Sequence, residues 1–71
     1  MMDMTEAEKV RAWELRVLDR FTWGQITRIL FPEAYETAPE LSTTLLANTV
    51  EHWYRNDPRA QALCWEKART V

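Results

Sequence analysis

Apolar residues recur at three- and four-residue spacing along most of the chain, the pattern of helices that each turn one side into a core. Capping signals divide that pattern into four predicted helices with no strand between them. The first covers about 5–20. Thr5 and Glu8 form a capping-box pair, and Val10, Trp13, Val17, Leu18 and Phe21 then fall on one side. Lys9, Arg16 and Arg20 line up beside the stripe. Glu14 stands within it, where an inward carboxylate has Arg55 or Arg28 as candidate partners and a rim position needs none. The second helix covers about 23–31, with Thr22 and Gln25 as its capping pair. Trp23, Ile26 and Leu30 form its stripe, flanked by Ile29 and Phe31. Gly24, Gln25 and Arg28 suit water. A short helix this apolar belongs at the centre of a core. Pro32 stops it, because the residue before proline avoids the helical region.

Residues 33–39 read as a connector or a single helical turn. Thr37 and Glu40 offer a third capping pair, with Pro39 tolerated in the first turn, and the third helix covers about 39–55. Its inward side is Leu45, Leu46, Thr49, Val50 and Trp53; its outward side is Thr44, Ala47, Asn48, Glu51 and Arg55. Asp57 as N-cap and Pro58 at the first helical position start a fourth helix over about 58–69. There Ala60, Leu63, Cys64 and Lys67 share a face, and Trp65 points away from Leu63. The predicted fold is therefore all-α: one domain spanning 1–71, with a three-helix core and a C-terminal fourth helix.

Length sharpens this picture. A chain of 71 residues has little core to stabilise it, and its single cysteine allows no internal disulfide. A homodimer is the expected source of the missing stability. Four tryptophans supply large buried area from few residues. The net charge of −2 argues against unaided, non-specific binding of nucleic acid, which needs a dense basic surface. Charged residues stand where an export signal would need an apolar run, and no apolar stretch approaches the about 18 residues of a membrane span. A cytoplasmic protein without a membrane segment is expected, and the lone cysteine fits a reducing compartment.

Candidate chemistry is sparse. Cys64 and His52 fall on different predicted helices with no third group to orient them, so Cys64 reads as a small core residue and His52 as a solvated or capping one. No metal-ligand spacing and no glycine-rich phosphate loop is present in a chain with one glycine. Neither catalysis nor a cofactor or metal is expected.

Residues 5–55, through "TWGQITRIL" and "STTLLANTVEHWYR", resemble three-helix units of the helix-turn-helix superfamily, including homeodomain-like, Myb-like and small phage or prophage regulators. The resemblance rests on Trp23, Ile26, Leu30, Val50, Trp53 and Arg55. The separation of about seven residues between the second and third helices departs from the family's turn of three or four. The resemblance implies a DNA-binding transcription regulator whose third helix enters the major groove. Thr43, Thr44, Asn48, Glu51, His52 and Arg55 would then face the bases, with Lys9, Arg16, Arg20 and Arg28 on phosphates. An acidic chain of this size needs a dimer on two half-sites for that work. The alternative is a small helical protein of phage type that binds and inhibits or modulates another protein. Its candidate contacts are Trp65, Phe31, Tyr35 and the second apolar edge of the first helix at Leu15, since aromatic anchors are enriched at interfaces.

Overall fold

Two reciprocal caps begin the chain's regular structure. In the computed structural model, which describes residues 2–69, the Thr5 hydroxyl accepts from the Glu8 N–H at 3.1 Å while the Glu8 carboxylate accepts from the Thr5 N–H at 2.8 Å. Helix α1 follows as Glu6–Val17. Thr22 and Gln25 repeat the arrangement at 3.2 and 2.9 Å, and α2 follows as Trp23–Leu30.

Helix α1 stops at Val17 rather than at 20. Arg20 takes a left-handed backbone conformation, φ 59°, and the Phe21 N–H reaches back to the Leu15 carbonyl at 2.9 Å. A non-glycine residue there costs about 1–2 kcal/mol. The turn is held by Arg16, whose guanidinium donates to the Phe21 carbonyl at 3.1 Å.

The segment read as a connector or a single helical turn is a helix of six residues. Pro32 does more than end α2: its fixed φ and missing N–H suit a first helical position, and it begins α3, Pro32–Thr37. Thr37 is thereby spent as the last residue of α3, so the expected third capping pair does not form. Ala38 takes the N-cap of α4, Pro39–Asn56, without a side-chain cap bond. After α4, Asp57 accepts from the Arg59 N–H at 2.9 Å, Pro58 and Arg59 form a turn, and α5 begins at Ala60 rather than at 58, running Ala60–Arg69.

Among the described residues these five helices are all the regular structure, and none is long and apolar enough to cross a membrane. Helices α1, α2 and α4 pack on one another; α3 lies across α2 and α4, and α5 across α1 and α4. Trp13, Ile26, Leu46, Val50, Trp53 and Cys64 lie at the centre. Met4, outside every predicted element, is also buried, and the Met2 N–H donates to Thr49 Oγ1 at 3.0 Å.

Three-sided packing around α1 overturns part of the predicted stripe. Leu15, expected at an exposed edge, is 2% exposed, whereas Val17, expected inside, is 45% exposed. The prediction assumed neighbours on one side of α1, whereas α2, α4 and α5 all pack against it. Ile29, placed beside the core stripe of α2, is half exposed. Glu14 is buried rather than at a rim, and it pairs with Arg11 one turn away at 2.7 Å, not with Arg55 or Arg28. Three buried hydroxyls satisfy themselves on the preceding turn. Thr27 donates to the Trp23 carbonyl at 2.8 Å, Ser42 to Ala38 at 2.7 Å and Thr49 to Leu45 at 2.7 Å.

Candidate functional site

Aromatic residues from three helices meet on one side of the molecule. Trp13 of α1 stacks with Tyr54 of α4, centroids 6.1 Å apart and planes inclined by 14°. Trp65 of α5 meets Trp13 edge-on at 5.5 Å and 74°, and its indole N–H donates to the Tyr54 hydroxyl at 3.1 Å. Trp65 is nevertheless 51% exposed. It is tied to the fold through one edge while the rest of its surface faces water.

Beside this cluster an open groove of about 280 Å³ runs between α1, α2 and α4. Trp13, Trp23 and Tyr54 supply its aromatic walls, with Val17 and Val50 completing the apolar surface. Arg16, Arg55 and Glu51 supply its charges. The Arg16 guanidinium lies 5.1 Å from the Trp23 ring centroid, within cation–π range. Arg55 approaches Glu51, one turn back on α4, at 3.8 Å.

The predicted DNA-facing residues divide. Thr44, Asn48, Glu51 and Arg55 are exposed along one stripe of α4, His52 is exposed at its side, and Thr43 is half-buried. His52 is also tied to Asn56, whose amide donates to the His52 carbonyl at 2.8 Å. The candidate phosphate contacts do not gather on that stripe. Arg16 shares the aromatic groove with Arg55, and Lys9 lies in a different hollow with His52 and Asp57. Arg28 lies in a third, beside Tyr35 and Glu36. Arg20 is exposed in the α1–α2 turn.

The predicted protein contacts divide as well. Leu15 is core. Phe31 is half-buried and packs against the core. Tyr35 is half-buried over α2, its ring edge 4.0 Å from where a Cβ on Gly24 would stand, and it belongs to the Arg28 hollow rather than to the face of Trp65. Of that set, Trp65 alone reaches the aromatic face.

The chain matches no family model, no curated protein and no solved structure.

Apart from Trp65, the residues that make the aromatic face were assigned to the core by periodicity, or not assigned at all. Trp13 and Val50 are buried and form the groove's floor, Trp23 is half-buried at its wall, and Tyr54, also half-buried, had no predicted role. The available signal was their number: a chain this short holds four tryptophans and two tyrosines, more ring surface than so small a fold can cover on all sides. Cys64 is fully buried in the core, and desolvation lifts its thiol pKa from 9.0 to about 11.

Proposed function

We propose that this chain is a non-catalytic interaction module that docks on another protein through the aromatic face of α1, α2, α4 and α5. The observation that carries the reading is the groove walled by Trp13, Trp23 and Tyr54, with the half-exposed Trp65 adjoining it. Tryptophan, tyrosine and arginine are the residue types that concentrate binding energy at protein interfaces, above all where they are held rigid. Here they are held by ring stacking, by the Trp65–Tyr54 hydrogen bond and by the Arg16–Trp23 contact. The groove's volume is about 280 Å³. It is open, which suits an anchoring side chain of a larger partner.

One observation favours the second reading, sequence-specific DNA binding: the exposed stripe Thr44–Asn48–Glu51–Arg55 on the 18-residue α4. Against it, the cations that would hold phosphates are spread over separate hollows, and Glu51 places a carboxylate beside Arg55. The protein reading is therefore preferred.

Photo-cross-linking separates the two. A photoreactive residue at the exposed groove position Val17 should give a protein adduct in extracts of the source organism, and one at the exposed Glu33 of α3 should not. Selection of the folded chain against random duplexes should enrich no sequence. An enriched duplex whose binding is lost with Asn48→Ala or Arg55→Ala, with no adduct at position 17, overturns the protein reading.

A further inference from the structure

We propose that the groove between α1, α2 and α4 selects a partner segment built as an apolar anchor flanked by carboxylates, and that Glu51 competes with those carboxylates for Arg55. This rests on the protein-docking reading above and specifies the chemistry of the partner. Two arginines against one glutamate leave the groove positive, whereas the whole chain carries −2. The local sign is thus the reverse of the molecule's, and it sits on an apolar floor. Such a surface attracts acidic segments and disfavours basic ones, a selectivity that an apolar floor cannot supply by itself.

The two arginines are prepared differently. Arg16 is held in place: its guanidinium lies over Trp23 and one N–H is committed to the Phe21 carbonyl. A guanidinium has five N–H donors in a fixed fork, so Arg16 keeps donors to offer a carboxylate with little ordering left to lose. Arg55 is the adjustable one. Its side chain is 77% exposed and it meets Glu51 at 3.8 Å, a long contact in water that is readily exchanged for a better carboxylate. The anchor would seat on Val17 against Trp23 and Tyr54, with its acidic neighbours reaching the arginines. Burial of the anchor also excludes water from both charge contacts and strengthens them.

The test is selection of the full chain against a displayed random peptide library. Enriched peptides should carry a large aliphatic or aromatic residue with Asp or Glu close by in sequence. The strongest should lose about tenfold in affinity on Arg55→Glu and gain about threefold on Glu51→Gln, changes typical of one close charge contact at a partly exposed rim. Replacing the peptide's carboxylate by lysine should restore binding to the Arg55→Glu variant. Val17→Arg should abolish binding. All three substitutions lie at exposed positions, so an unchanged helical circular dichroism spectrum serves as the folding control. Peptides with neutral or basic flanks that are still lost on Val17→Arg overturn the acidic preference and leave protein docking standing. No enrichment, or binding indifferent to Val17→Arg, overturns both.

Discussion

The thiol of Cys64 is enclosed by the core, and desolvation alone moves its pKa to about 11. A thiol this reluctant to ionise is a poor nucleophile at neutral pH, since the thiolate is the reactive form. Native protein at pH 8 should therefore resist alkylation by iodoacetamide, and urea-unfolded protein should react at the rate of a simple thiol; equal rates would show that the site opens freely. The same shift sets a sign for stability. Between 9.0 and about 11 the unfolded chain releases this proton while the folded chain keeps it, so Cys64's contribution is present below pH 9 and is lost as pH rises through that window. Residue type suggested a core role for Cys64, and packing confirms it. Residue type misjudged Glu14: its place in the stripe pointed inward, and pairing with Arg11 on its own helix permits the burial that a lone carboxylate resists.

Among the helices, the starts written in side-chain chemistry were legible and the others were not. Thr5–Glu8 and Thr22–Gln25 satisfy donors within their own turn, so no distant residue is needed to place them. Thr37–Glu40 has the same spelling and fails, because α3 continues through Thr37 and Pro39 starts α4 without a side-chain cap. This difference predicts unequal effects of identical substitutions. Thr22→Ala should lower stability by about 1 kcal/mol in urea denaturation through loss of a working cap. Thr37→Ala should change it by less than about 0.5 kcal/mol, as at an ordinary surface position. Equal losses would mean that the third cap forms in solution. Between connector and helical turn the sequence left α3 open, because a six-residue helix is too short to show periodicity and carries no buried residue to mark an inner face.

For the molecule as a whole, thickness is the governing quantity. The fold measures 34 × 23 × 15 Å between Cα atoms, so in its shortest direction it is about two packed helices deep. A large ring in such a body can be covered on one side and wetted on the other, which is the condition of Trp65. That residue joins α5 to α1 and α4 through Trp13 and Tyr54. Trp65→Ala should therefore cost about 1–2 kcal/mol from lost ring contact and hydrogen bonding. If that role lies within one chain, the loss in thermal or urea midpoint is independent of protein concentration. A loss that grows on dilution of the parent protein would instead identify Trp65 as a seam between two copies, the arrangement expected from chain length.

The sequence by itself determined the helical class, two of the helix starts and most of the inward side of α4, because spacing and caps act within a few residues. It also determined how much aromatic surface the chain must place somewhere. Tertiary structure decided which side of α1 is buried, that 32–37 is a helix, and that Trp13, Trp23, Tyr54 and Trp65 share one face with Arg16. Those outcomes depend on which helices become neighbours, and the α1–α5 packing joins residues from opposite ends of the chain. Periodicity gives each helix an inner side, but it does not say how many neighbours will claim that helix.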